Sequence, residues 1–356
     1  MPIKVAFDAR ALVSPSRGVQ RYTQELYGEI ARRGVPTTAV GTDSSMTLPH
    51  GVAGVPSPFD PQSNLAWCAW GLPAAARRAP FDVFHAPAYT APLFGVHPVV
   101  VTLHDISYEA APAWYPYKRD RIRRAFYRHS AARARAIITD ATATRDAIVE
   151  HYGGPRARIH VVPLGVGAAF RPAESRRADA APASPFVLAV GDVHARRNVP
   201  TLVEAIRIAQ ATVPELTLVL VGRTLDADGT RDAQWPPFVR VERDISDARL
   251  VALYQQAAVV AGPSLYEGFG LPLLEAMACG TPVVAAHASV TPDTTGDAAI
   301  LVDPMDPKEW ANVIVELLRN PERAADHRAR GLRRAAQFTW SRTADATLAV
   351  FESVCQ

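Results

Sequence analysis

The residues best suited to chemistry lie in one run, Pro263-Ser264-Leu265-Tyr266-Glu267-Gly268-Phe269-Gly270-Leu271-Pro272-Leu273-Leu274-Glu275-Ala276-Met277-Ala278-Cys279-Gly280. It reads as the end of a strand, a glycine-containing turn, a helix opened by Pro272 and a stop at Gly280. Gly268 and Gly270 allow the backbone to approach a ligand closely, and amides at a helix N-terminus can face an anion or sugar hydroxyls. Glu267 falls in the turn and Glu275 eight positions later in the helix, so two carboxylates can address one ligand at different heights. Without a ligand, Glu267 would cap the helix and Glu275 would be a solvated helix residue. A dinucleotide fingerprint does not fit, because Leu273 stands where a third glycine is needed.

A second group, Gly191-Asp192-Val193-His194-Ala195-Arg196-Arg197-Asn198, follows the predicted strand Phe186–Val190 and precedes a helix. Two guanidiniums on such a loop suit bidentate contacts to a diphosphate and would neutralise charge growing on a leaving group; otherwise the loop is a solvated basic turn. In the first half, Gly18 within Ser16–Tyr22 could bring amides toward phosphates, although an ordinary turn explains one glycine as well. His104-Asp105 ends the predicted strand Val99–Leu103, where a His serves structure or catalysis. The stretch Tyr117–Ala134 carries Lys118, Arg119, Arg121, Arg123, Arg124, Arg128 and Arg133 among Ile122, Phe126 and Tyr127. It reads either as a basic amphipathic helix for an anionic membrane, each cation contributing roughly 1 kcal/mol before screening, or as a solvated face.

These residues need elements to hold them. Apolar, β-branched runs predict strands over Lys4–Phe7, Val99–Leu103, Ala136–Thr139, His160–Val162, Phe186–Val190, Thr217–Val221, Ala258–Ala261 and Pro282–Ala285. Helical patterns over Arg21–Arg33, Lys118–Ala134, Ala143–Tyr152, Pro200–Thr212, Asp247–Gln256, Pro272–Ala278 and Lys308–Arg319 alternate with them. The pattern predicts an α/β chain of two doubly wound, Rossmann-like domains, whose ligands would bind outside the carboxyl ends of the strands, in a cleft between the two. The aperiodic Pro/Ala/Ser segment Arg171–Pro185 reads as a linker, giving residues 1–171, a linker at 172–184, and 185–337. Residues 338–356 form a last helix whose Leu348, Phe351 and Val354 need a surface, expected on the first domain.

Composition agrees with this architecture. At 356 residues the chain exceeds what one core supports, so two domains of roughly 170 residues are expected. With 48% apolar and 21% charged residues it is globular rather than disordered or fibrous. Cys68, Cys279 and Cys355 form no pair or zinc pattern, which suits a reducing compartment. No signal peptide and no apolar run of membrane-spanning length is read in the chain. The net charge of +3 is uneven: residues 1–180 carry 22 Lys/Arg against 14 Asp/Glu, or +8, and 181–356 carry −5. The basic half suggests an anionic partner for the first domain.

The Pro263–Pro282 segment resembles the signature of the family 4 glycosyltransferases of the GT-B fold, with its two glutamates separated by seven residues and flanked by the Pro-Ser-x-x-Glu-Gly-Phe-Gly-Leu-Pro core. The likeness runs on through Asp247–Ala258 and Gly296–Pro304, and is nearest to bacterial mannosyltransferases of surface-polysaccharide assembly. It implies a retaining enzyme using a nucleotide-diphosphate sugar. Arg196 and Arg197 would bind the donor phosphates, with Arg197 where relatives have lysine; Glu267 would bind sugar hydroxyls and Glu275 the ribose. His104 would contact the transferred sugar, Asp105 would orient its loop, and Gly18 and Gly191 would line the phosphates. Gly268, Phe269, Gly270 and Leu271 complete the implied donor site, making His104, Arg196, Arg197 and Glu267 the catalytic set.

The resemblance further implies an acceptor-side first domain and a nucleotide-sugar-binding second one. The expected partners are the donor, with mannose from GDP-mannose as best guess, and a glycan or lipid-linked acceptor. Peripheral contact with an anionic membrane at the inner face of the cell membrane fits a cytoplasmic protein; no nucleic acid is expected. No Asp-x-Asp motif ends a strand, so neither metal nor cofactor is expected. The stretch Val241–Ser246 borders the base, and Arg243 or Asp244 stands where relatives have glycine, so the base is not read. A nucleotide-sugar epimerase on the same scaffold, or a non-catalytic assembly protein binding sugar nucleotides, are the alternatives. A nicotinamide oxidoreductase lacks its glycine turn.

Overall fold

The computed structural model of the chain describes residues 3–57, 63–111, 114, 121–174, 184–223 and 234–356. It divides into two compact units: Met1–Ala110 with Arg119–Gly165 and Thr339–Gln356, and Ala111–Lys118 with Val166–Phe338. Residues 175–183 of the expected linker, and 117–120 of the basic stretch, lie outside the described residues.

The first unit holds a parallel sheet of β1 (Val5–Asp8), β2 (Thr37–Thr42), β3 (Ala53–Pro56), β4 (Val83–Ala86), β5 (Val99–Thr102), β6 (Ala136–Thr139) and β7 (Ile159–Val161). Its spatial order is β3-β2-β1-β4-β5-β6-β7, with a reversal between β1 and β4. Every residue of β1, β4, β5 and β6 is buried, as expected of central parallel strands covered on both faces.

The helix Trp340–Cys355 belongs to this unit. It buries Phe351 beside His85, with ring centroids 5.1 Å apart, and Trp340 beside Tyr22 at 6.3 Å. Its start is tied down by Thr343 Oγ1 donating to the Pro163 carbonyl at 2.8 Å and by Arg33 donating to Ser341 and Asp345. Phe351 is fully buried, while Leu348 and Val354 are half-buried.

The second unit holds β8 (Phe186–Val190), β9 (Thr217–Val221), β10 (Val239–Glu242), β11 (Val259–Gly262), β12 (Val283–Ala286) and β13 (Ala299–Val302). They are parallel in the order β10-β9-β8-β11-β12-β13. The helices Val199–Ala209 and Pro307–Arg319 pack together on one face around Trp310, which is fully buried. Burial of each large apolar side chain of this kind contributes about 1.5–3 kcal/mol. Chain order reverses between β8 and β11, and ligands of doubly wound sheets bind at such a reversal, outside the carboxyl ends of the strands.

Candidate active site

The loops leaving β8 and β11 carry Arg196–Arg197 and Glu267, so the two central strands bring both groups to the reversal point. The loops are stitched together by the Leu265 amide donating to the Arg196 carbonyl at 2.8 Å and by Arg196 Nη1 donating to the Tyr266 carbonyl at 3.1 Å. Arg197 Nη1 donates to Glu267 Oε1 and, at 3.3 Å, to Ser264 Oγ, while Arg196 Nη1 lies 3.9 Å from Glu267 Oε2. Burial alone would raise Glu267's pKa, but Arg197 and then Arg196 outweigh it and hold the carboxyl below its ordinary value. Ser289 Oγ donates to the Glu267 carbonyl at 3.0 Å and fixes its backbone.

Two glycines earn their place by backbone geometry. Gly191 has φ 129°, and a Cβ there would lie 2.7 Å from Arg197 Nη2, so its absence of side chain seats Arg197. Gly270 has φ 86° and forms the left-handed entry to the helix Leu271–Ala278. Asn198, at φ 50°, donates from Nδ2 to the Pro304 carbonyl at 2.6 Å and fixes the end of the arginine loop. Sequence reasoning gave Asn198 and Ser264 no role, since only the folded contacts reveal one. A small cavity of about 30 Å³ is lined by Gly191, Arg197, Ser264, Glu267, Gly270 and Thr291, among others.

Other expected site residues lie differently. Glu275 is 3% exposed and accepts from the Tyr254 hydroxyl at 3.0 Å, so it is no solvated helix residue. It does not line the cavity that Glu267 lines. Phe269 is buried, its ring centroid 5.8 Å from that of Phe338, and its carbonyl accepts from Thr294 Oγ1 at 2.6 Å. Gly268 and Leu271 are half-buried on either side of Gly270. His194, expected only as part of the loop, is held down to about 4 by burial and then by Arg196 and Arg197.

In the first unit, the expectation that Gly18 sits in the loop before a helix is corrected. The helix begins at Arg17, because the chain turns helical directly after Ser16, and Gly18 lies in its first turn with only Ser16 Oγ, at 3.8 Å, near a would-be Cβ. His104 follows β5 and Asp140 follows β6, and the parallel register Thr102↔Ile138 carries on to set the two side by side. His104 Nδ1 lies 2.8 Å from Asp140 Oδ2, and its Nε2 lies 3.1 Å from the Pro87 carbonyl oxygen. Asp105 instead accepts from the amide and hydroxyl of Ser107 and shapes the turn.

The basic stretch also departs from expectation. The helix Arg121–Arg133 does not present all its arginines as one solvated or membrane-facing row, because Arg124 and Arg128 both donate to Glu109, whose side chain is 1% exposed. Arg121 and Ile122 are exposed on this helix, Ile122 at 73%. Among the described residues no helix is long and apolar enough to cross a membrane. Nor do three His, Cys, Asp or Glu side chains gather there as a metal site would require.

Two family models match the chain, one described as "Glycosyltransferase Family 4" over residues 16–170 and one as "Glycosyl transferases group 1" over residues 184–320. The chain is 29% identical to the O-antigen chain mannosyltransferase B of Escherichia coli over 76% of its own length and 74% of that protein. It is 32% identical to the MMP alpha-(1->4)-mannosyltransferase of Mycolicibacterium hassiacum over 78% of its length and 72% of that protein. Five D-inositol 3-phosphate glycosyltransferases match over 49% to 59% of their own length, and that of Xylanimonas cellulosilytica is 30% identical over 94% of the chain and 91% of that protein. Among solved structures, the sucrose-phosphate synthase from Thermosynechococcus elongatus superposes with a TM-score of 0.78 at 20% identity, covering 99% of each chain, a likeness of fold.

Proposed function

The chain belongs to the family 4 glycosyltransferases of the GT-B fold, and from that premise we propose that it transfers mannose, with retention, from GDP-mannose to a glycan or lipid-linked acceptor. The observation that supports the reading most is the cluster of Arg196, Arg197 and Glu267 at the chain-order reversal between β8 and β11. Mannose is suggested by the names of the two mannosyltransferase relatives.

Arg196 and Arg197 are assigned to the donor diphosphate, where two fixed cations stabilise the charge that develops as the glycosidic C–O bond breaks. The departing phosphate oxygen takes the proton of the acceptor hydroxyl while that hydroxyl attacks from the same face of the sugar. Glu267, ionised beside the arginines, accepts from sugar hydroxyls; Glu275 is assigned to the ribose and His104 to the transferred sugar. Gly18 is kept as a minor donor contact through its amide. No metal is needed on this scheme, because guanidiniums supply the charge. The acceptor is assigned to the first domain, and the enzyme to the cytoplasm, in peripheral contact with the inner face of the membrane.

The test is turnover of a panel of nucleoside-diphosphate sugars with mannose-terminated acceptors in EDTA, the product's anomeric configuration being read by NMR. An α-linked product from GDP-mannose in the presence of chelator is expected. A β-linked product overturns retention, chelator-abolished activity restored by magnesium or manganese overturns the charge scheme, and use of another sugar overturns the donor.

A further inference from the structure

We propose that Asp140 is a positioning residue for sugar transfer, acting through His104: it fixes the imidazole as a doubly protonated ring whose Nε2–H is the donor presented to the transferred sugar. The inference rests on the reading of His104 as the residue that meets that sugar. It adds a residue that the family signature within this chain did not single out.

The argument begins with register. β5 and β6 run parallel with Thr102 opposite Ile138, so the positions two residues further on, His104 and Asp140, stand together where the strands end. Asp140 Oδ2 is 2.8 Å from Nδ1. Its other oxygen, Oδ1, is buried with no hydrogen-bond partner among the described residues, and the whole side chain is 2% exposed. A buried carboxylate is costly unless it is paired, and among the described residues its hydrogen bonding goes to His104. A residue kept only for stability would more readily be apolar at this strand end.

The ring itself has acceptors on both sides. Nδ1 faces a carboxylate and Nε2 faces the Pro87 carbonyl, 3.1 Å away. Beside an ionised Asp140, a neutral imidazole would turn one nitrogen lone pair toward an oxygen, whereas the imidazolium donates to both. Burial alone would push His104 down, but Asp140's charge and hydrogen bond, then Asp105's charge, carry it above its ordinary value. Burial pushes Asp140 up in turn, so the pair shares one proton between Oδ2 and Nδ1, and on either side of that exchange Nε2 keeps its own hydrogen toward the Pro87 carbonyl.

Among the described residues, the groups set against His104 are acidic or neutral. Asp105 neighbours it on its own loop, and Asp140 ends the adjacent strand. Tyr22, from the helix Arg17–Arg32, sits edge-on at 4.7 Å, and Tyr89, after β4, at 6.2 Å. Buried His85 is held near 3 by burial and by the charge on His104 itself, and so stays neutral. With Nδ1 occupied by Asp140, Nε2 is left as the donor. It can exchange the neutral Pro87 carbonyl for a sugar oxygen, a charge-assisted bond stronger than a neutral histidine would give.

Ring titration of ¹⁵N-histidine-labelled protein, with His104 assigned from a His104→Gln variant, tests the pairing directly. Wild-type His104 is expected to remain an imidazolium above pH 7, and Asp140→Asn to lower its pKa by at least one pH unit. In the same variant kcat should fall ~10- to 100-fold, with donor KM changed less than threefold and the alkaline limb of the rate profile displaced to lower pH. Asp140→Glu should restore part of the rate. In a His104→Gln background Asp140→Asn should cost nothing further, since it acts only through the ring.

An unchanged ring titration in Asp140→Asn, or the same loss of rate in the His104→Gln background, overturns the proposal. Should Asp140→Asn not fold, the wild-type ring decides alone: a neutral His104 at pH 7 overturns it. Wild-type protein that transfers no sugar overturns the functional reading instead, and the ring titration tells that failure apart from failure of the pair.

Discussion

Glu267 and Glu275 are both shielded from solvent, yet one is satisfied by guanidiniums and the other by a tyrosine hydroxyl, and that difference carries a prediction. Glu267→Gln keeps shape but loses the charge that Arg197 and Arg196 hold; transfer should drop ~100-fold, with nucleoside-diphosphate affinity changed less than threefold. Glu275→Gln should weaken free nucleoside diphosphate about tenfold, because the ribose is common to both ligands. Calorimetry beside turnover checks this, and equal loss of nucleotide affinity in both variants refutes the assignment. The buried histidines set a pH limit. His85 is fully buried and lowered from 6.5 to about 3, so the unfolded chain binds the extra proton, and stability is lost as pH falls below 6.5. His104, with a raised pKa, acts in the opposite window: its contribution is complete below 6.5 and fades as pH rises through its folded value. Urea unfolding should therefore show His85 costing roughly 2 kcal/mol between pH 6.5 and 5, a loss that His85→Asn, less stable at pH 7, does not repeat.

The helix Arg121–Arg133 illustrates how charge on an element divides between structure and surface. Arg124 and Arg128 share Glu109, which is buried, and each supplies one arm of its neutralisation. Arg124→Ala is expected to destabilise the protein by about 1–3 kcal/mol in chemical denaturation, less than loss of the whole pair would, because Arg128 remains. A stability change near zero would mean that Glu109 is satisfied without it. Membrane engagement by this helix must then be sought at Arg121 and the exposed Ile122 rather than at the arginines bound to Glu109. Replacing both with Glu should lower sedimentation with anionic vesicles at least fivefold at low salt, since it removes an apolar anchor and inverts a charge. Equal sedimentation would leave the helix as a solvated face.

Across the whole molecule, the fold was legible wherever the chain writes long apolar runs, as at Phe186–Val190 and Thr217–Val221. Five strands escaped such reading, four of them for physical reasons. β3 is exposed at three of its four residues, β10 alternates Val239-Arg240-Val241-Glu242 at a sheet edge, and β4 interrupts its apolar run with His85. β2 carries threonines and Gly41 in place of an apolar run, whereas the apolar run of β13 was there to be read. The arginine pair and Glu267 could be proposed from their loops, but their ion cluster follows from the adjacency of β8 and β11, which no local pattern encodes. Asp140 was illegible for the same reason, its partner lying 36 positions away. What sequence does state without folding is the division of charge, +8 over residues 1–180 and −5 over 181–356. Arg196 and Arg197 have side chains only 15% and 19% exposed, so their attraction for a nucleotide is poorly screened, whereas exposed cations of the first half are screened over a Debye length of about 8 Å at physiological ionic strength. Raising salt from 50 to 300 mM should thus reduce binding to anionic vesicles at least tenfold and change nucleoside-diphosphate affinity less than threefold. If nucleotide affinity falls in step with vesicle binding, the phosphate site is an open basic surface rather than the enclosed arginine pair; if vesicles are ignored even at low salt, the acceptor is a soluble one.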